Sequence, residues 1–119
     1  MFNGEFYRVK GEKPLSTVRN RYLSDYDISE QEAEELLKFC RAADKGQQAV
    51  ILHAAQIAND SIAIPIFVNL TSGIGYDRLS MWYEIPMQRK DFQGYRRKAL
   101  AVLRDLIKLH QDAEMRLKK

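Results

Sequence analysis

Apolar side chains recur along most of the chain at the three- and four-residue spacing of amphipathic helices. The clearest helix start is Ser29, because Glu32 follows three residues later and the two side chains can bond each other's backbone amides. The inward positions that follow are Ala33, Leu36, Leu37, Cys40 and Ala43. We expect this helix to end at Lys45 and Gly46, since glycine readily adopts the left-handed conformation that terminates helices.

The middle of the chain contains a second helix and one ambiguous segment. Residues 47–58 repeat the helical spacing, and the predicted inward positions are Val50, Ile51, Ala54, Ile57 and Ala58. Residues 62–70 are rich in β-branched side chains, which suit a strand. A helix is the alternative that we favour, because Pro65 would fall in its first turn and Gly73 would follow its end.

Two further helices are predicted in the last third of the chain. A short helix over residues 76–84 is closed by Pro86, since the residue before a proline avoids the helical region. A long helix then runs from about Lys90 to about Met115, and its apolar positions are Phe92, Tyr95, Ala99, Val102, Leu106, Leu109 and Ala113. A helix of roughly 39 Å is longer than a domain of this size needs, so we expect one end to project or to be covered by a second copy.

These elements predict a mainly α-helical single domain, a small helical bundle with a long C-terminal helix. Its parts are an N-terminal arm (residues 1–28), a helical body (29–73) and a helix-turn-helix-like element that leads into the long basic helix (74–119). Alternating side chains at 6–10 allow a short β arm in the first part. The composition, with 45% hydrophobic and 29% charged residues, is that of a globular domain.

Cysteine and hydropathy bear on the location of the protein. The one cysteine, Cys40, excludes an intramolecular disulfide, and the longest uninterrupted apolar run, residues 62–68, is far shorter than a membrane span. The N-terminus lacks the apolar core of a secretory signal. We therefore expect a cytoplasmic protein without a membrane partner.

Charge is distributed unevenly along the chain. Residues 86–119 carry ten Lys or Arg against four Asp or Glu, whereas residues 1–85 carry nine against twelve. A basic end on an acidic body is typical of a protein that binds a polyanion or an acidic protein surface, and a merely solvated face is the alternative. Cations near the start of the long helix oppose its dipole, which suggests that they bind a ligand.

Six residues near the start of the long helix are the candidate binding residues. They are Arg89, Lys90, Gln93, Arg96, Arg97 and Lys98. Arg and Lys neutralise phosphates, and amide side chains bond backbone and groove atoms of DNA. Because a short helix and a turn precede them, they would form the recognition helix of a helix-turn-helix over residues 76–98.

Residues 74–103 resemble the helix-turn-helix end of small regulators from phages and mobile elements, which is broadly similar to sigma-factor region-four domains. The resemblance rests on a supporting helix that ends in Ile85 and leads through a turn into a helix rich in Arg and Lys. It implies a DNA-binding regulator with residues 89–98 as its recognition helix. Two positions depart from the family pattern: Phe92 comes later than the usual next core residue, and Glu84 replaces the usual turn glycine.

A protein partner is the second hypothesis. The same basic surface could bind an acidic face of a host nucleic-acid-processing enzyme, such as a defence nuclease, as an inhibitor or effector. Trp82 and Met87 would be interface anchors, because aromatic and Met side chains are enriched at interface cores. Leu103 and Ile107 widen the apolar face of the long helix and would pair two copies in a homodimer.

Enzymatic chemistry finds no support in the sequence. No nucleophile elbow, phosphate loop or dinucleotide fingerprint occurs. His53 and His110 lie on different predicted helices without a Cys or carboxylate at ligand spacing, so we predict no metal site and no cofactor. Cys40 lies on an apolar helix face and is expected to be a core residue rather than a nucleophile.

Overall fold

The computed structural model describes residues 18–117, without the side chains of residues 114, 116 and 117. Five α-helices account for most of this length: α1 (Glu30–Arg41), α2 (Lys45–Ala58), α3 (Ala63–Ser72), α4 (Tyr76–Trp82) and α5 (Arg89–Leu117). Short 3-10 turns lie at Val18–Asn20, Leu23–Tyr26 and Asp60–Ile62. The mainly α-helical class and the long C-terminal helix are confirmed, whereas the β arm predicted at 6–10 lies outside the described residues.

α1 begins where the sequence predicts, but the boundary between α1 and α2 lies earlier than predicted. The Ser29 hydroxyl accepts a hydrogen bond from the backbone N–H of Glu32 (3.1 Å), which confirms the start of α1. The predicted end at Gly46 is wrong, because Asp44 begins α2: its carboxylate accepts from the N–H of Gln47 (2.8 Å), and the Gln47 amide oxygen accepts from the N–H of Asp44 (2.9 Å). This reciprocal cap places Gly46 inside the first turn of α2.

The ambiguous segment of the middle is helical. Pro65 is the third residue of α3, where a backbone N–H would have no partner within the helix, so its missing donor costs nothing. Gly73 ends the helix in the left-handed region, with φ 84°, and its N–H donates to the carbonyl of Asn69 (2.8 Å). The two signals that favoured a helix over a strand therefore both act as expected.

The core lies between α5 and the helices α2 and α3. Fully buried residues of α2 and α5 form its centre: Ile51, Ala54, Ala55, Ala99, Leu100 and Leu103. The structure corrects the interpretation of Leu103 as a dimer contact, because its side chain is enclosed by its own chain. Ile107, one turn later, is half-buried. The small alanines let the helix axes approach closely, which leaves no room for a partner at this level.

The opposite side of α5 is covered by residues 18–28, which we call segment 18–28. Gly94 makes this contact close: a Cβ atom built there would lie 2.5 Å from the carbonyl oxygen of Val18. Segment 18–28 contains no strand or α-helix. Its 3-10 turns pair some of its carbonyl groups, and others, including those of Arg19 and Arg21, accept hydrogen bonds from α5. α5, with 29 residues and thus about 43 Å of length, extends past this contact. Residues 108–113 are all exposed, so its C-terminal end projects from the body.

The connection between α4 and α5 is longer than that of a typical helix-turn-helix. α4 ends at Trp82 rather than at the predicted Glu84, and six residues, 83–88, separate it from α5, whereas the motif usually has a turn of about three or four. The hydroxyl of Tyr76 donates to the carbonyl of Met87 (2.5 Å), and its ring lies 5.5 Å from that of Phe92. The start of α4 is thus fixed to the start of α5.

We expect Gly94→Ala to destabilise the fold. Alanine normally stabilises an open helical position by about 0.5–1 kcal/mol relative to glycine. At Gly94 the methyl group would collide with the backbone of Val18, so we expect a loss of roughly 1–3 kcal/mol in the free energy of unfolding. Gly46→Ala is the matched control, because its nearest contact would be an ordinary 3.6 Å. Equal stabilisation of both variants in denaturant unfolding would show that segment 18–28 does not pack on α5.

Candidate nucleic-acid interface

A small basic cleft lies between segment 18–28 and the first three turns of α5. Its volume is about 290 Å³, and its lining residues are Arg19, Asn20, Tyr22, Arg89, Lys90, Gln93 and Arg97. We call this the basic cleft. Four of the six predicted binding residues line it, and the remaining three lining residues come from a part of the chain that sequence reasoning did not connect with α5.

Helical geometry explains why those four residues share one surface. Arg89, Gln93 and Arg97 are spaced by four residues, so they lie above one another on one face of α5. Lys90 is next to this row and is exposed, with no hydrogen bond or ion pair to any described residue. The N-terminus of α5 adds the partial positive charge of its unpaired backbone amides.

Two carboxylates hold arginines at the edges of the basic cleft. Arg19 binds Asp91 through two nitrogens (2.8 and 2.9 Å), and one nitrogen of Arg89 contacts both oxygens of Asp77 (2.6 and 2.7 Å). The hydrogen bond from Arg19 lowers the pKa of Asp91. Both partners of the Arg89–Asp77 pair are exposed, so solvent and salt screen it and it adds little to stability.

Arg97 lines the cleft and connects its two sides, α5 and segment 18–28. Its Nε donates to the carbonyl of Arg21 (2.8 Å), and its Nη2 donates to the carbonyl of Arg19 (3.3 Å). The guanidinium carbon also lies 4.9 Å from the centre of the Tyr22 ring, in the range of a cation–π contact. The predicted role of Arg97 in binding is thus combined with a structural role, because the same group fastens segment 18–28 to α5.

The structure places Arg96 on a different face of α5 and gives it a partner within the fold. Although it is adjacent to Arg97 in sequence, it points about 100° away around the helix and does not line the basic cleft. Its Nε donates to the side-chain oxygen of Asn69, whose amide nitrogen donates in turn to the carbonyl of Ile74 (2.8 Å). Burial, together with the nearby charge of Arg41, lowers the pKa of Arg96.

Arg96 and Arg41 both donate hydrogen bonds to the C-terminal part of α3. The Nε of Arg41 donates to the carbonyl of Leu70 (3.1 Å), one residue from the Asn69 side chain that Arg96 contacts. The last carbonyls of a helix lack intrahelical partners and carry partial negative charge, so cations stabilise this end. Two arginines, Arg41 and Arg96, therefore stabilise the C-terminal part of α3.

The remaining predicted residues lie outside the basic cleft. Lys98 is half-exposed and makes no ion pair with a described residue. Trp82 is 54% exposed at the end of α4, and its neighbour Met81 is 78% exposed. Met87 is half-buried against the core. Of the predicted anchors, only Trp82 presents a large apolar surface to solvent.

Similarity to known proteins does not assign a function to the basic cleft. Comparisons of the chain with protein-family models, with curated proteins and with solved structures found no match. In the part of the chain that the structure describes, no helix is both long and apolar enough to cross a membrane. Nor do three His, Cys, Asp or Glu side chains of those residues gather as metal ligands would.

A second, larger concavity lies between α2 and the projecting end of α5. It is an open groove of about 950 Å³, and both histidines, His53 and His110, line it. Sequence reasoning placed them on separate helices and did not bring them together. Val50, predicted to point inward, is instead 37% exposed and lines this groove.

We expect Arg96→Ala to weaken folding rather than ligand binding. The substitution leaves the buried oxygen of Asn69 without its donor, which costs roughly 1–3 kcal/mol in the free energy of unfolding. Lys90→Ala, at an exposed position without partners, should change stability by less than about 0.5 kcal/mol. Chemical denaturation of both variants measures this difference. Unchanged stability of Arg96→Ala with reduced nucleic-acid affinity would restore the sequence-based interpretation.

Cys40 should react slowly with thiol reagents in the native protein. Its side chain is 1% exposed, and burial raises the pKa of the thiol to about 11 from 9.0. Because the folded pKa is the higher one, this group favours the folded state fully below pH 9.0 and progressively less as the pH rises to about 11. Iodoacetamide labelling at mildly alkaline pH should require unfolding. Labelling at the rate of the unfolded chain would contradict a core position.

Proposed function

We propose that this protein binds nucleic acid, with the phosphate backbone held in the basic cleft at the start of α5. The observation that carries the proposal is the convergence of four cationic side chains from two distant segments on one concave surface. These are Arg19, Arg89, Lys90 and Arg97. Among residues 18–117, no carboxylate lines the cleft, although Asp91 binds Arg19 and Asp77 binds Arg89.

The lining residues match the chemistry of a phosphate chain. Guanidinium groups offer several donors in one plane, and Lys90 supplies a mobile charge. Asn20 and Gln93 add neutral amide groups that can bond phosphate and sugar oxygens. A bound anion would also offset the repulsion between these cations and the positive end of the α5 dipole. The cations that destabilise the start of α5 in the free protein would thus stabilise the complex with a bound anion.

A DNA-binding regulator is the specific form of this function that the helix-turn-helix resemblance implies. In such a protein Gln93 is the residue placed to read a base, because it is exposed between two cations and glutamine pairs well with adenine. Arg96 contributes no base contact, since Asn69 binds it inside the fold. Phosphate contacts therefore outnumber base contacts on this surface, which favours binding with modest sequence preference.

An inhibitor that binds an acidic face of a host nucleic-acid-processing enzyme is the second candidate. One observation favours it: Met81 and Trp82 are exposed side by side at the end of α4. Side chains of these types are enriched at the cores of protein interfaces. The two candidates differ in whether free nucleic acid binds the isolated protein.

Charge reversal at Lys90 tests the proposal. Lys90→Glu removes a cation of the basic cleft, and a carboxylate in the first turn of α5 is favourable for the helix dipole, so the fold should persist. Affinity for labelled random-sequence DNA, measured by fluorescence anisotropy at two salt concentrations, should fall. For duplex DNA, the slope of log affinity against log salt should decrease by about 0.9 for each phosphate that the variant leaves unneutralised.

Lys108→Glu is the matched control for this experiment. Lys108 is also exposed on α5 and changes the net charge equally, but it lies about 27 Å further along the helix. We expect its affinity to stay close to that of the wild type. Absence of binding at low salt would refute the proposal, and so would an equal loss of affinity in the two variants, which would reflect net charge alone.

A further inference from the structure

One aromatic side chain lines the basic cleft together with its cations. Tyr22 belongs to segment 18–28 and is 57% exposed. The guanidinium carbon of Arg97 lies 4.9 Å from the centre of its ring, so a cation covers one face of the ring. Because the residue is still more than half exposed, the rest of the ring is open to solvent. Tyr22 therefore offers a flat apolar surface at the border of a cationic space.

The ring of Tyr22 is held in position from two sides. Its backbone N–H donates to the carboxylate of Asp25 (2.7 Å), which fixes the backbone at the start of the turn Leu23–Tyr26. Arg97 is fixed as well, because its Nε and Nη2 donate to two carbonyls of segment 18–28. The guanidinium cannot leave the ring without breaking those bonds. The aromatic surface is thus preorganised, so a group that stacks on it need not order this side chain first.

The cations of the cleft extend from this ring to the start of α5. Arg97 and Arg89 are eight residues apart on one face of the helix, so about 12 Å of its length separates them. That length corresponds to three or four nucleotides at about 3.4 Å each. Gln93 lies between the two arginines. A nucleotide chain along this row can therefore place a base on Tyr22 and phosphates near Arg89.

We propose that Tyr22 is a stacking platform for an unpaired base inside the basic cleft, and that the protein prefers single-stranded over duplex nucleic acid. This inference rests on the proposed phosphate binding in the basic cleft. In a duplex both faces of each base are covered by its neighbours, so the phenol ring can stack only on a base that has left the helix. Proteins that bind single strands combine a positive groove with aromatic side chains on which bases stack.

The lining of the cleft selects this occupant. Tyr22 shares it with four cations and two neutral amides, and the carboxylate of Asp25 is not part of it. The volume of about 290 Å³ is at the lower limit of small-ligand pockets, so a ligand must supply negative charge and a flat group close together. Every nucleotide of a single strand has both, whereas the outer surface of a duplex presents only the charge. The carboxylates of an acidic protein surface carry no ring.

Oligonucleotide binding to the full-length chain tests this assignment. A labelled oligothymidine strand and a labelled hairpin duplex of equal phosphate number are titrated at low salt, and fluorescence anisotropy gives each affinity. We expect the single strand to bind more tightly. Tyr22→Leu, which keeps an apolar side chain but removes the ring, should weaken single-strand binding roughly 5- to 150-fold and leave duplex binding unchanged. Tyr22→Phe should retain the single-strand affinity, because phenylalanine keeps the stacking face.

Trp82→Ala is the matched control. Trp82 is 54% exposed and has a similar cation–π contact, with Arg78 at 5.4 Å, but it does not line the cleft. This variant should bind both ligands like the wild type, and an equal loss in it would overturn the stacking site. Equal affinity of the wild type for the two ligands would also overturn it and leave phosphate binding intact, as would a Tyr22→Leu variant that binds the single strand normally or loses both ligands equally. Absence of binding to either ligand would refute both proposals and favour an acidic protein partner.

Discussion

Arginine side chains that donate to backbone carbonyls hold this structure together at its least regular point. Segment 18–28 contributes no strand or α-helix, and its 3-10 turns pair only part of its carbonyl groups, so others depend on donors from α5. Arg97 binds the carbonyls of Arg19 and Arg21, and Arg104 binds that of Tyr26 (2.6 Å). The bare backbone of Gly94 permits the close approach that these bonds require. Without them α5 would lose the cover of one side, and the basic cleft would lose one wall.

Several arginines of α5 are used in contacts within the fold, so the charge of this helix is not all available to a ligand. A helix with this excess of Lys and Arg suggests a continuous basic surface, but the tertiary structure divides it. Arg96 serves the end of α3, and Arg97 and Arg104 fasten segment 18–28. Only Arg89 and Lys90 remain as exposed cations at the start of the helix. Much of the charge that predicts a polyanion partner is therefore structural, and the proposed binding surface is smaller and more concave than the sequence indicates.

α4 contacts the start of α5 through its first turn. Its first turn is fixed to α5 by Tyr76 and by the Asp77–Arg89 pair, and its last turn presents Trp82. Because that pair is exposed, water competes for it, so in the proposed complex a phosphate would replace Asp77 on Arg89 at little cost. Trp82 lies about 140° around the axis of α4 from Asp77, so the exposed indole faces away from this ion pair.

The sequence by itself determined the helices, since their signals act between close neighbours: the cap at Ser29, the proline and glycine that bracket α3, and the length of α5. It also located part of the basic cleft, because Arg89, Gln93 and Arg97 share a face by helical spacing alone. Only the tertiary structure separated Arg96 from Arg97, buried Leu103, and brought segment 18–28 and the two histidines to α5. The reason is distance along the chain. The carbonyl that Arg97 binds belongs to a residue 76 positions away, and no local periodicity encodes such a contact.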